Sequence, residues 1–421
     1  MSDKPTQTFV LKLRDASSGI TEVPGFAAAG FSCGIRGKDP TRLDTAVVYS
    51  KLPCAAAGTF TTNDVKAAHV RLDSERVAKG GVFHAIVANS GNANAFTGEQ
   101  GKLDSAEMGA ILARELGVPE DSVLTASTGR IGKVLPMELL RKGIPAGVKK
   151  LASTPEAGHL AAKAIMTTDT FAKTATASFT CVGKTIVISG MAKGAGMIEP
   201  NMATMLAFLG TNAKLTAPEL KKLLKASVLE SFNHISVDGD QSTNDTAILL
   251  ANGESGVDFK TLSNTWVNGE KCLTTFARAL EAVCKALAAM MVQDGEMITR
   301  VVTVQVDGAK SKTAAEKVAR SIGNSMLVKS AWYGGDPNWG RIMDAAGYAN
   351  VGLDDGKLDL FYNDTPVVLK STPLFENEKK WHDIVANREF TVRLNLNMGK
   401  ASYTLLANDL TEGYVNFNKG E

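Results

Sequence analysis

The sequence predicts an α/β protein in which helices pack on mixed sheets. Strand-like runs alternate with capped amphipathic helices, which points to layered α/β packing. Two of those runs, Thr176 to Val182 and Thr185 to Ser189, flank Gly183 and read as a hairpin, a connection foreign to a doubly wound parallel sheet. No repeat period, low-complexity tract or Pro/Gly/Ser-rich linker interrupts the chain.

Taken in chain order, His84 to Ala88 is the first clear strand. Asp104 followed by Glu107 has the form of a capping box opening a helix, with Met108, Ile111, Leu112 and Leu116 at helical spacing and Gly117-Val118-Pro119 ending it. The Gly183 hairpin follows. Thr216-Ala217-Pro218-Glu219 opens a second helix, with Leu220, Leu223, Leu224 and Val228 on one face. Thr246 to Leu250 is a further strand. A third helix carries Phe276, Leu280, Val283, Leu287 and Met291. Val301 to Val306 is a strand, and Thr313 with Glu316 marks the start of a fourth helix.

Composition narrows the function classes. The 421 residues exceed one ordinary core and suit two domains or one large α/β unit. With 44% apolar and 21% charged residues the chain is of ordinary globular type. Lys+Arg 46 against Asp+Glu 44 leaves a net charge of +2 with no block of like charge, so neither a nucleic-acid groove nor an acidic-membrane patch is expected. The opening residues, interrupted by Lys4, Lys12, Arg14 and Asp15, lack the apolar stretch of a secretory signal, and no uncharged apolar run has the length of a membrane span. The expectation is a soluble cytoplasmic protein without membrane association. Its five cysteines (Cys33, Cys54, Cys181, Cys272, Cys284) contain no CxxC and read as reduced core thiols.

Several partial motifs fail on inspection. Gly183-Lys184-Thr185 resembles the end of a phosphate-binding loop, yet Ser178 stands where its first glycine belongs and no helix start follows. Gly194-Ala195-Gly196 opens like a dinucleotide fingerprint, but Glu199 occupies the third glycine position. Asp238-Gly239-Asp240 opens like a calcium loop, but Thr243 and Leu249 replace the glycine and the bidentate carboxylate. His69, His84, His159, His234 and His382 show no metal-ligand spacing, so no metal is expected.

The stretch KGAGMIEPNMATMLAF, Lys193 to Phe208, is the most informative. Two glycines, a proline and small residues crowd a loop that runs into an apolar strand, the setting a strained and reactive peptide bond requires. Attack of the Thr204 hydroxyl on the Ala203 carbonyl would give an ester that water can cut. The new chain would begin at Thr204, whose α-amino group, with an ordinary pKa of ~7.7–8.0, could serve as base for its own hydroxyl. Read from these residues alone, a buried loop threonine without chemistry is the plainer alternative.

This segment resembles the cleavage-site signature of the ornithine acetyltransferase (glutamate N-acetyltransferase, ArgJ-type) family. GFAAAGFSCGIR (Gly25 to Arg36), AAGTFTTN (Ala56 to Asn63), ANSGNANAFTG (Ala88 to Gly98), STGRIGKVLPM (Ser127 to Met137), IMTTDT (Ile165 to Thr170), SVDGDQSTNDT (Ser236 to Thr246) and GGDPNWGRI (Gly334 to Ile342) resemble further family blocks in family order. The resemblance implies an αββα-like sandwich and self-cleavage into an alpha chain, 1–203, and a beta chain, 204–421, paired again as an α2β2 assembly. It implies transfer of acetyl from N2-acetyl-L-ornithine to L-glutamate through an acetyl ester on Thr204. No cofactor is implied, and acetyl-CoA as a second acetyl donor is left open.

The same resemblance assigns residues. Thr128 and Gly129 match the oxyanion-hole pair, and Thr167, Lys193, Glu296 and Asn418 match substrate contacts. The family commonly reads GEGATK where this chain has Gly295-Glu296-Met297-Ile298-Thr299-Arg300, and a later Ser/Thr contact of the family has no counterpart after LTEGYVNFNKGE. Asp238 and Asn244 read as structural loop anchors. Competing readings are a self-cleaving N-terminal-nucleophile amidohydrolase or aminopeptidase, an acyltransferase for another acylated amino acid, and a binding protein that never cleaves.

Overall fold

The computed structural model describes residues 9–13, 19–199, 205–261, 266–267 and 270–419. The chain forms two compact units, one of Met1–Gly194, Asn201–Asn233 and Gln241–Ala288, the other of Ala195–Pro200, His234–Asp240 and Ala289–Glu421.

The first unit is built on a nine-stranded sheet of β1 (Val10–Leu13), β2 (Phe26–Phe31), β3 (Thr45–Phe60), β4 (Phe83–Asn92), β5 (Val123–Arg130), β6 (Lys173–Cys181), β7 (Lys184–Lys193), β8 (Leu206–Thr211) and β9 (Thr246–Ala251). Spatial order is β1-β6-β7-β8-β9-β3-β4-β5, with β2 also on β3. Only β4/β5 and β8/β9 run parallel. The long strand β3 divides the sheet into two sections: its first part pairs with β2 and β4, its second with β9, across a register shift between Tyr49 and Cys54.

Around these strands lie α1 (Ala68–Lys79), α2 (Gly98–Leu116), α3 (Met137–Val148), α4 (Pro155–Ala164), α5 (Ala217–Leu229) and α6 (Cys272–Gln293), and a short ribbon of β10 (Trp266–Val267) and β11 (Glu270–Lys271). One core joins both sheet sections, with Phe26, Val48 and Ile86 beside Met191, Phe208 and Ile248. A second packs the other face of β2 to β5 on α2 and α3 through Val47, Val87, Met108, Leu112, Leu140 and Ile144. Helix, sheet section and sheet section thus follow one another, as expected for helices packed on mixed sheets.

The second unit holds a six-stranded sheet of β12 (Val301–Ala309), β13 (Asp359–Tyr362), β14 (Thr365–Leu369), β15 (Thr372–Pro373), β16 (Glu389–Asn395) and β17 (Ala401–Asn408), ordered β15-β14-β13-β16-β12-β17. Its helices are α7 (Lys312–Gly323), α8 (Met326–Tyr333), α9 (Trp339–Gly347), α10 (Glu378–Val385) and α11 (Glu412–Phe417). Val302, Val304 and Val306 alternate inward from β12 and meet Ile322, Trp332, Val392 and Leu405 in its core.

The hairpin forms as expected: β6 and β7 pair from Lys173↔Ala192 to Cys181↔Lys184, and Val182 (φ 45°) with Gly183 (φ 74°) makes the two-residue turn. The Thr216/Glu219 capping box opens α5 as read. Two other starts are corrected. α2 begins at Gly98, so Asp104 sits inside the helix, where its carboxylate accepts from Gln100 Nε2 at 2.7 Å. The apolar stripe starts late because Gly101, Asp104 and Ser105 fill the inward face of the early turns. α7 is capped by Ser311, whose hydroxyl accepts from Ala314 N, rather than by Thr313.

The reading of all five cysteines as reduced thiols is also overturned. Cys181, closing β6, and Cys272, opening α6, form a disulfide with a Cα–Cα distance of 6.4 Å. They are 91 residues apart, a pairing that spacing does not reveal. Cys33, Cys54 and Cys284 are free, and burial pushes each thiol up to about 12. Among the described residues no helix is long and apolar enough to cross a membrane.

Candidate active site

The Lys193–Phe208 segment bridges two neighbouring strands. Lys193 is the last residue of β7 and lies opposite Leu206, the first residue of β8. Ala203 and Thr204 lie outside the described residues. Met205 follows them directly, and its carbonyl accepts from Thr246 N at 2.8 Å where β9 begins.

Thr128 and Gly129 close β5 beside the β4 segment Ser90–Asn92, where the ladder shifts register. Thr128 is buried. Gly129 has φ 128°, a region closed to other residues, and a Cβ there would stand 2.6 Å from Asn92 N. The strand ends can approach this closely only through glycine. Asn244, read as an anchor, acts as one: its Nδ2 donates to Ala93 O at 2.6 Å and to Ser127 O at 2.7 Å, immediately before Thr128.

Lys193 and Thr167 are connected through a residue the sequence reading passed over. Asp169, in the quoted IMTTDT block, is buried and accepts from Thr167 N at 3.0 Å, Gly194 N at 2.7 Å and Lys173 Nζ at 2.6 Å. Burial pushes its carboxyl up, but the ammonium groups of Lys173 and Lys193 and the N–H of Gly194 outweigh burial and bring it to about 2. Asp169 is thus a fixed anion that holds the Thr167 backbone and the residue after Lys193. Arg36 completes the support by donating to Met166 O and Thr167 O, each at 3.0 Å. The available sequence signal was one acid and one base in close succession, Asp169 and Lys173.

In the second unit, Glu296 and Asn418 are brought together. Asn418 Nδ2 donates to Glu296 Oε2 at 3.0 Å and to Tyr414 O at 3.0 Å, at the end of α11. Glu296 is buried, and its N–H donates to Ala195 O at 3.0 Å. A Cβ on Gly196 would stand 2.6 Å from the Glu296 carboxyl carbon, so any side chain there would push this carboxylate aside. Met297 adopts φ 57°, the left-handed conformation that suits the glycine of GEGATK. The loop therefore keeps that backbone path with methionine in place, fastened by Thr411 Oγ1 to Met297 O at 2.9 Å and by Asp409 to Thr299 N at 2.9 Å. Asp238 is an anchor, as read: its carboxylate accepts from Met197 N at 2.6 Å, Ile198 N at 2.7 Å and the Tyr414 hydroxyl at 3.2 Å.

In the first unit Lys193 is a buried cation on the same sheet as the Thr128–Gly129 strand end, and in the second, taken by itself, Glu296 with Asn418 forms a carboxylate–amide pair. Such groups suit acyl transfer to or from a zwitterionic substrate. A cleft of about 930 Å³ on the first unit, walled by Asp64, Lys66, Arg71 and Phe96, contains none of them.

Residues 27–420 match the model of the ArgJ family, and the chain belongs to that family. It is 43% identical over 402 residues to the arginine biosynthesis bifunctional protein ArgJ of Symbiobacterium thermophilum, covering 96% of this chain and 98% of that one. The glutamate N-acetyltransferase of Methanocaldococcus jannaschii is 41% identical over 416 residues, covering 96% and 99%. Among solved structures, ArgJ from Bacillus halodurans aligns at 37% identity and TM-score 0.43, over 47% of this chain and 100% of that chain. The ornithine acetyltransferase of Mycobacterium tuberculosis, complexed with ornithine, aligns at 36% identity and TM-score 0.42, over the same two shares.

Proposed function

We propose that this enzyme cuts itself between Ala203 and Thr204 and then uses Thr204 to carry acetyl from N2-acetyl-L-ornithine to L-glutamate. The observation that carries this reading is the Lys193–Leu206 pairing within a chain that matches ArgJ proteins along nearly its whole length. It seats a buried cation at the mouth of the loop that holds the scissile bond.

In the first step the Thr204 Oγ adds to the Ala203 carbonyl. The C–N bond breaks, the nitrogen takes the proton that the hydroxyl gave up, and an ester remains. Water hydrolyses the ester to an Ala203 carboxylate and a free Thr204 hydroxyl, beside the new α-amine. That amine is the base for the second stage. There Oγ adds to the acetyl carbonyl, ornithine leaves through its α-nitrogen, and the acetyl ester on Thr204 is attacked by the α-amine of glutamate. Thr128 and Gly129 donate to the oxyanion of each tetrahedral intermediate, a contribution of ~2.7–4 kcal/mol per donor in comparable sites. Lys193 binds the substrate α-carboxylate, Thr167 contributes a further contact, and the Glu296–Asn418 pair receives an ammonium. Acetyl-CoA is a candidate second donor, and α2β2 pairing is the proposed assembly.

Denaturing mass spectrometry under reducing conditions, which open Cys181–Cys272, with N-terminal sequencing tests the first stage: fragments opening at Met1 and at Thr204 are expected, and Thr204→Ala should remain whole and inactive. Incubation with acetylornithine, with and without glutamate, tests the second. Ornithine release indifferent to glutamate would assign the chain to the hydrolases instead, and acetyl transfer by T204A would remove Thr204 as the nucleophile.

A further inference from the structure

The two oxygens of the buried Asp169 carboxylate serve different segments of the first unit. Oδ2 accepts from Thr167 N at 3.0 Å, while Oδ1 accepts from Gly194 N at 2.7 Å and from Lys173 Nζ at 2.6 Å. Gly194 lies 25 residues further along the chain, and its nitrogen is bonded to the carbonyl carbon of Lys193. Arg36 Nη2 donates to Thr167 O at 3.0 Å, so both polar backbone groups of Thr167 are gripped. Arg36 is fixed in its turn. The buried Asp44 carboxylate accepts from the successive N–H groups of Cys33, Gly34, Ile35 and Arg36 at 2.7, 3.0, 2.7 and 3.3 Å.

We propose that Asp169 is a positioning residue for substrate binding, its carboxylate setting Thr167 and Lys193 in one frame that receives the α-carboxylate of each amino-acid substrate. The inference rests on the function proposed above, in which both residues are substrate contacts. An acid is needed here for its acceptor geometry. Each oxygen faces a main-chain N–H whose direction the backbone sets. Asparagine has one acceptor oxygen and turns an NH2 toward the other donor, so it holds Thr167 N or Gly194 N but not both. The rival account is Lys173. Both side chains of the Lys173–Asp169 ion pair are fully buried, and an acid that only neutralised this ammonium would have no part in binding.

The test measures KM and kcat for acetylornithine and for glutamate in the parent chain, in Asp169→Asn and in the double variant Asp169→Asn with Lys173→Met. D169N is expected to raise both KM values by about tenfold or more, with kcat moving less than about threefold, because the contacts it disturbs are made to the substrate before and during reaction alike. The double variant removes the two buried charges together, so it stands in for D169N should the unpaired Lys173 keep that chain from folding. Its KM values are expected to stay raised. Parental KM values in the double variant would reduce Asp169 to the partner of Lys173 and overturn the proposal, as would a fall in kcat at unchanged KM in either variant. A parent chain that transfers no acetyl overturns the function proposed above and this inference with it. A parent that transfers acetyl, beside variants with parental KM, removes only the role of Asp169.

Discussion

Gly129 concentrates the demands of the candidate site in one position. Its φ of 128° excludes a side chain, and the space a Cβ would need is already taken by Gly91 and Asn92 of β4. Gly129→Ala must therefore distort either the conformation or the ladder contact, and the expected cost is about 2–3 kcal/mol of stability. If Thr128 and Gly129 are the oxyanion donors proposed above, the same displacement moves them, and kcat should fall by about tenfold or more while KM changes less. Urea unfolding and steady-state kinetics on one preparation check both halves; parental kcat in a destabilised G129A would separate the glycine's structural role from the chemistry. Asp169 shows the opposite kind of residue. Nothing in its spacing singled it out, because its importance lies in which backbone N–H groups reach it after folding, Thr167 and Gly194 among them.

At the scale of elements, legibility followed how local the cause was. The Gly183 turn and the Thr216/Glu219 box depend on four or fewer successive residues, and both formed where read. The start of α2 was misplaced because its early inward face is built of Gly101, Asp104 and Ser105, which carry no apolar signal. The Cys181–Cys272 bond and the hydrogen bond from Thr246 N to Met205 O depend on chain segments far apart in sequence, and no spacing could show them. The site residues assigned by resemblance fall on loops and strand ends that the fold holds tightly. α1 offers a test of one such tie. His69 is fully buried, and its Nε2 lies 3.2 Å from both Asn244 O and Thr246 Oγ1, joining α1 to the start of β9. Burial lowers its pKa to about 4. The unfolded chain takes up a proton near the ordinary value of about 6.5, so the tie's contribution is complete above that pH and is lost as pH falls toward 4. The full loss is of order 3 kcal/mol. Urea midpoints at pH 7 and pH 4.5 should therefore fall more steeply for the parent chain than for His69→Asn; equal slopes would show that His69 is protonated in the folded protein.

At the scale of the molecule, the proposed cut precedes β8, a strand deep within a sheet. β8 is paired on one side with β7 and on the other with β9, and β9 in turn with β3. Strands from both sides of residue 204 thus share one sheet, and the fragments of a cut chain could not part without breaking two ladders, β7/β8 and β3/β9, and the Cys181–Cys272 bond. Cleavage should accordingly leave the folded protein intact while changing what it becomes on unfolding. The Cys181–Cys272 bond would tie the two fragments together, so with that bond reduced an uncut chain unfolds to one molecule and a cut chain to two, each folded copy releases an extra particle, and mass action then makes its stability more dependent on concentration. For every tenfold dilution the cut protein should lose about 1.4 kcal/mol more than the uncut one per extra chain released. The comparison is between parent and Thr204→Ala, both with Cys181–Cys272 reduced, at protein concentrations a hundredfold apart, read as urea midpoints under conditions where both refold. A midpoint that falls more on dilution for the parent than for T204A is the expected result, with native mass spectrometry showing both fragments in one particle before denaturant is added. Identical concentration dependence in the two, for a parent verified as cut, would mean that the fragments unfold independently and that the shared sheet does not hold them together.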